Sequence, residues 1–96
     1  MSFSQIGGAR LGLFNATWPL AKLAVEPQEL RLSVLGIIKL TFPKSSVARL
    51  SEHRGFLSSG LRIEHRNTRA PQFVVFWTWN LASLLKALAA AGYVLT

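Results

Sequence analysis

Neither cysteine nor aspartate occurs among the 96 residues of this chain. Without cysteine there are no disulfides, no thiolate nucleophile and no cysteine-ligated metal, and a reducing or redox-indifferent setting such as the cytoplasm is expected. Without aspartate, and with no serine in a nucleophile-elbow context, the usual nucleophile triads cannot be assembled. The glycine pair of "QIGGAR" lacks the preceding strand, the lysine and the following helix of a phosphate loop, and reads instead as a mobile amino-terminal segment. No catalytic, cofactor or metal residue is therefore assigned, and an enzyme is not expected.

Long hydrophobic runs are missing as well. Residues 70–85 are uncharged and the stretch to Leu95 is interrupted only by Lys86, yet Pro71, Gln72, Thr78, Asn80 and Ser83 break it up. A spanning helix needs about 20 continuous, mostly apolar residues, so a membrane-spanning segment is not expected. Residues 1–20 hold one charge, Arg10, and no apolar run leading to a small-residue cleavage site, so no signal peptide is expected either.

Acidic residues are few: four glutamates stand against eleven Lys and Arg, a net charge of +7. Such a balance favours polyanions, anionic lipid or nucleic acid, as nonspecific partners. Arg49, Arg54, Arg62, Arg66 and Arg69 fall in the middle third and form a candidate anion-binding surface, expected to be largely exposed and to attract anionic lipid weakly. A solvated basic face is the plainer reading. The repeated triplets Glu52-His53-Arg54 and Glu64-His65-Arg66 suggest a metal site or an acid and base pair, but neighbouring residues of a strand face opposite ways. In a hairpin closed around residues 55–60, moreover, His53 lies near the turn and His65 at the far end.

What the chain does have is alternation. "LAKLAVEPQELRLSV" predicts a strand over roughly 20–25, a turn at 26–28 and a second strand carrying Leu30, Leu32 and Val34. "IIKLTF" alternates until Pro43, "VARLSEH" offers a further strand before Gly55, and "LRIEH" another. "RNTRAP" then turns into the aromatic strand "FVVFWT". From Asn80 to Ala91 the spacing of Leu81, Leu84, Leu85, Leu88 and Ala89 predicts a helix, with Asn80 or Thr78 as its cap and Gly92 at its end. Strands followed by a single terminal helix exclude an alternating parallel plan. The expected class is α+β: a small antiparallel barrel or strongly bent sheet of about six or seven strands, capped by one carboxy-terminal helix. The expected core holds Leu32, Leu40, Leu50, Ile63, Val75, Leu81, Leu84, Leu85 and Leu88. Residues 1–17 are set apart as a partly mobile segment and 18–96 as a single domain.

In this order of elements the chain resembles the pleckstrin-homology-like superfold, in particular its small bacterial PH-like and GRAM-like domains. The matching stretches are "LAVEPQELRLSVLG" as an opening hairpin, "LTFPKSSVARLSEHRG", "GLRIEH", and "FVVFWT" running into "LASLLKALAAAGY". The resemblance implies a helix plugging one open end of a bent sheet, and loops that bind phosphoinositides or protein partners. The dense Lys and Arg cluster of the lipid-binding members has no counterpart in "VEPQEL", which carries two acids.

The stretch "QFVVFWTWN" places six large apolar side chains in nine positions, so both faces of the strand need cover. Phe73, Val75 and Trp77 are expected to face the helix, because Leu81 and Leu84 follow directly. Val74 and Phe76 would then lie on the outside, under the segment "LGLFNATW" and a second subunit. Phe14, Trp18, Val74, Phe76 and Trp79 form the candidate protein interface, and a homodimer is expected. The expected function is a PH-like binding or scaffold module, acting on itself or on another protein. Binding to anionic membrane surfaces is the alternative, and nucleic acid, with base stacking on Phe73, Trp77 and Trp79, the third.

Overall fold

Alternating apolar and polar residues lay down seven strands and one helix in the computed structural model, which describes residues 3–54, 59–66 and 70–95. The strands are β1 (Phe3–Leu11), β2 (Phe14–Val25), β3 (Glu29–Val34), β4 (Ile38–Pro43), β5 (Val47–Arg54), β6 (Ser59–His65) and β7 (Val74–Thr78), and the helix is α1 (Leu81–Ala90). They form one sheet in the order β4-β3-β2-β1-β7-β6-β5 with every neighbour antiparallel, curled into a half-barrel. The β3–β4 pair shows how pattern becomes register. Leu30, Leu32 and Val34 oppose Phe42, Leu40 and Ile38 on the inner face, while Arg31 and Ser33 oppose Thr41 and Lys39 on the outer one.

The helix ends as its sequence indicates. Asn80 Oδ1 accepts the Ser83 N–H at 3.2 Å, and Gly92, at φ 87°, lets Tyr93 N reach the Leu88 carbonyl at 2.9 Å and its own N–H reach that of Ala89 at 3.0 Å. Leu84 and Leu88 enter the core, with Leu81 and Leu85 packed at its border. Beyond α1 the chain is tied down on three sides. Lys44 Nζ donates to the Ala91 carbonyl at 2.7 Å, the Tyr93 hydroxyl donates to that of Glu26 at 2.9 Å, and Leu95 bridges to Leu50 of β5. Of the expected core, Leu32, Leu50, Ile63, Val75, Leu84 and Leu88 are buried, and Leu40, Leu81 and Leu85 are half-buried against it.

Two expectations are corrected. Most of the segment set apart at the amino terminus is strand: residues 3–11 are β1, seated between β2 and β7, and the boundary drawn at 17/18 falls inside β2. The opening hairpin is therefore β1–β2, and "LAVEPQELRLSVLG" holds the second. Gly7 and Gly8 explain both the strand and why it was missed. A Cβ on Gly7 would lie 2.0 Å from the Trp77 carbonyl oxygen, and one on Gly8 2.6 Å from that of Ala16. Close approach demands glycine here, and glycine erases the strand signal.

The second correction reverses the faces of β7. Val74 and Phe76 are fully buried in the core, whereas Phe73 and Trp77 are half-buried on the outer face together with the buried Val75. Volume decides the phase. Phe76 pairs with Ala9 and abuts Gly7 on the inside, while outside Trp77 is flanked by Gly8 and Gly60. Neighbouring strands leave room for one large ring on each side. Val74 and Phe76 thus offer no surface to a second subunit, and the "LGLFNATW" segment lies beside β7 through β1–β2 and does not cover it.

Phe76→Ala is expected to cost about 3–5 kcal/mol in chemical denaturation, the range for emptying a buried phenylalanine site. A second expectation concerns Tyr93, the only tyrosine. Burial, reinforced by Glu29 and Glu26, pushes its phenol above the ordinary value. The folded state then holds the proton more tightly than the unfolded chain. Its contribution is complete below pH about 10 and is lost as pH rises through the folded value. Thermal midpoints measured across the alkaline range should fall less steeply for Tyr93→Phe, whose neutral-pH cost is about 1 kcal/mol for the missing bond to Glu26.

Candidate functional site: a tryptophan-lined pocket on the outer face

Cross-strand register assembles the outer face from side chains far apart in sequence. One row reads His53, Gly60, Trp77, Gly8, and the next reads Ser51, Arg62, Val75, Arg10, Asn15. Val75 is buried between two arginines whose guanidinium carbons lie 5.7 Å (Arg10) and 5.1 Å (Arg62) from the Phe73 ring centre. The His53 ring meets Phe73 at 5.9 Å and Trp77 at 5.4 Å, both edge-on. Cover for the outer face of β7 thus comes from the flat or aliphatic parts of cationic side chains. The Arg62 Nε is closed off from water and has no hydrogen-bond partner among the described residues, so its main compensation is the Phe73 π-face.

Beside this cluster lies a pocket of about 480 Å³. Between the pairs Gly7↔Ala21 and Ala9↔Ala16, Gly8 alone stands opposite residues 17–20, an excursion that contains the cis Trp18–Pro19 peptide. The excursion puts Trp18 at the pocket margin, and its backbone passes so close to Gly8 that a Cβ there would lie 3.1 Å from Trp18 N. On the other side Thr78 Oγ1 donates to Gln5 Oε1 at 2.6 Å and accepts from Asn80 N at 3.0 Å, while Gln5 Nε2 donates to the Asn80 carbonyl at 2.9 Å. Gln5 thereby fixes the corner between β7 and α1 and leaves Trp79 outside it. All three tryptophans of the chain, Trp18, Trp77 and Trp79, line the pocket together with Arg10, Asn15 and Thr17. Trp18 is 53% exposed and Trp79 75%, so the walls stand open to solvent. Arg10 Nε is engaged by the Gly12 carbonyl at 3.1 Å, which leaves its terminal nitrogens as donors. The arrangement can take an apolar group between indole faces and a carbonyl or carboxylate beside Arg10.

The residues expected from the sequence scatter around this site. Trp18 and Trp79 line it, Phe14 is partly exposed at the start of β2, and Val74 and Phe76 are in the core. Of the five expected arginines, the four described do not converge. Arg54 and Arg66 sit at opposite ends of the β5–β6 hairpin, Arg49 lies 3.8 Å from Glu64, and Arg66 Nη2 donates to the Ser45 carbonyl at 3.3 Å. Arg62 is half-buried on Phe73, contrary to its expected exposure, and Arg69 lies outside the described residues. His53 faces outward and His65 inward, where it packs at 4.7 Å from Phe42 and donates from Nε2 to the Pro71 carbonyl at 2.7 Å. Sequence reading missed Arg10, Asn15 and Thr17 because they belong to the stretch set apart from the domain. The one available signal was the close pair Trp77 and Trp79, with Trp18 far from them along the chain. Among the described residues no helix is long and apolar enough to cross a membrane.

Comparison with known proteins finds no family model that matches this chain and no curated protein that matches it.

Replacing Arg62 by Gln is expected to lower stability by about 1 kcal/mol through loss of the Phe73 contact, whereas Arg54→Gln should change nothing beyond error. Urea denaturation of the two variants beside the intact protein checks the difference.

Proposed function

We propose that the chain is a non-enzymatic binding module of the pleckstrin-homology-like type, and that its tryptophan-lined pocket receives an apolar and acidic segment of a protein partner. The curled sheet with a terminal helix supports the PH-like assignment, since it has the layout that the sequence resemblance implies. One observation carries the binding reading: every tryptophan of the chain lies at the same open pocket, beside Arg10. Tryptophan and arginine are the residues that most often dominate protein interfaces, and Trp18 and Trp79 leave more than half of their surface in water. Walls as open as Trp18 and Trp79 suit a chain segment better than a small molecule, which is usually enclosed over most of its surface. The net charge of +7 favours an acidic segment. Both histidines are already engaged in packing, His65 with Phe42 and Pro71 and His53 with Trp77, which supports a binding role over a catalytic one.

A nucleic-acid platform needs ring faces free for bases. Of the three rings on which a base would stack, Phe73 is faced by Arg10 and Arg62 and Trp77 by His53, so Trp79 alone stands free. That occupancy favours the protein partner.

Peptides selected from a displayed random library on the intact protein should share an aromatic or aliphatic anchor next to Asp or Glu. Calorimetry should show their affinity reduced about tenfold or more by Trp79→Ala and by Arg10→Gln, and unchanged by Arg54→Gln. No enrichment, or binding indifferent to both pocket substitutions, would sink the reading. Light scattering of the same samples identifies a second copy as the partner if a dimer forms and Trp79→Ala dissolves it.

A further inference from the structure

The β2–β3 turn is acidic in a basic chain. Residues 23–30 hold Glu26 and Glu29 and no Lys or Arg, and Pro27 and Gln28 between the two acids are exposed. Glu29 pairs with Arg31, and Glu64 lies 3.8 Å from Arg49. The carboxylates of Glu26 and Glu52 form no salt bridge and accept no hydrogen bond among the described residues. Glu52 is followed by His53 and Arg54, whereas Glu26 stands next to the exposed proline. The turn is held on three sides. Glu26 N donates to the Glu29 carbonyl at 3.0 Å, Lys44 N to that of Gln28 at 2.8 Å, and the Tyr93 hydroxyl to that of Glu26 at 2.9 Å. Lys44, the base brought beside the turn, directs its ammonium to the Ala91 carbonyl. A turn so anchored presents Glu26 and Pro27 with little left to order on binding.

An exposed proline beside a free carboxylate is the combination that the tryptophan-lined pocket can take: an apolar group between indole faces and a carboxylate beside Arg10. The turn cannot reach the pocket of its own chain. Glu26 stands eight residues beyond Trp18, just past the end of β2, in a molecule measuring 28 × 27 × 23 Å. At the usual rise of a strand that separation is about 25 Å. Pocket and turn therefore mark opposite ends of one strand, complementary in chemistry and pointing away from each other.

We propose that the pocket's occupant is the β2–β3 turn of a second copy of this chain, with Pro27 between Trp18 and Trp79 and Glu26 against Arg10, so that copies associate head to tail. The inference rests on the binding reading of the pocket and names its partner. Copies at +7 repel one another, so contact between them requires an acidic segment at the junction, and this turn supplies it to the pocket that carries Arg10. A closed pair exchanging both contacts about a two-fold axis is disfavoured. Lys22, exposed and midway between Trp18 and Glu26, would meet its own copy at that axis. Head-to-tail contact instead leaves one pocket and one turn open at the ends, so the assembly extends without closing. A single turn in a single pocket is a small interface, which makes the association weak and reversible.

The test is sedimentation velocity of the intact protein across the micromolar to millimolar range. The mean mass should rise steadily with concentration and pass that of a dimer. Trp79→Ala, which removes a pocket wall, and Glu26→Lys, which reverses the charge of the turn, should each weaken association about tenfold or more while the thermal midpoint stays nearly unchanged. Glu26→Gln serves should the lysine variant fold poorly. Mixed in equal amounts, the two variants should recover one contact, between the turn of the Trp79→Ala copy and the pocket of the Glu26→Lys copy, and stop at a pair. Monomer at every concentration, association indifferent to either substitution, a mass that levels off at a dimer, or a mixture that fails to pair overturns the proposal. Library peptides that bind the pocket of a strictly monomeric protein would leave the binding reading standing and remove the second copy alone. Failure of both experiments would remove the binding reading itself.

Discussion

Contact between β1 and β7 at Gly7 and Gly8 is the constraint on which the rest of this molecule depends. In the sheet order, β1–β7 is the one junction between β4-β3-β2 on one side and β6-β5 on the other. At Gly7 the missing side chain lets the Trp77 backbone of β7 approach, at Gly8 it lets the Ala16 backbone of β2 approach, and β7 takes its phases around these two positions. Phe76 turns inward over Gly7 and Ala9, Trp77 turns outward between Gly8 and Gly60, and the floor of the pocket is what remains beside Gly8. Core and candidate site are two sides of one packing solution.

The half-barrel has free edges at β4 and β5, and the chain spends several residues on them. Phe42 of β4 packs on His65 of β6, the tail lays Leu95 against Leu50 of β5, and Lys44 joins the end of β4 to the end of α1 while its ammonium lies 4.7 Å from the Tyr93 ring centre. Pro43 ends β4 without an N–H to offer, and Arg49 and Arg54 line β5. Charge, proline and a short covering segment are the usual means of keeping an edge from recruiting another strand.

Much of this architecture was legible. The β2–β3 turn at 26–28, the strands from β3 to β6 and the helix with its caps follow from periods of 2 and 3.6 and from Pro, Gly and Asn at the breaks. The strand β1 was not legible, because Gly7, Gly8 and Ala9 carry no apolar alternation, and glycine at position 7 is required by Trp77 of β7, 70 positions away in the sequence. The faces of β7 were not legible because both are apolar, so pattern alone could not choose a phase. The pocket was hidden for a third reason. Arg10, Trp18 and Trp77 meet through a register jump of β2 against β1, and a jump has no period. Likewise the arginines looked remote from the aromatics along the chain, yet Arg10 and Arg62 flank Val75 directly across strands.

Placing every indole along one pocket has a spectroscopic consequence. Tryptophan emission from this protein reports on the outer face alone, and two of its three sources, Trp18 and Trp79, already sit in water in the native state. The solitary tyrosine is the complementary chromophore. Tyr93 is buried where the helix terminus, Lys44 and the β2–β3 turn meet, so its absorbance follows the closure of the barrel. The two signals therefore divide the molecule between them: emission belongs to the binding face, and phenol absorbance to the seam that holds the fold shut.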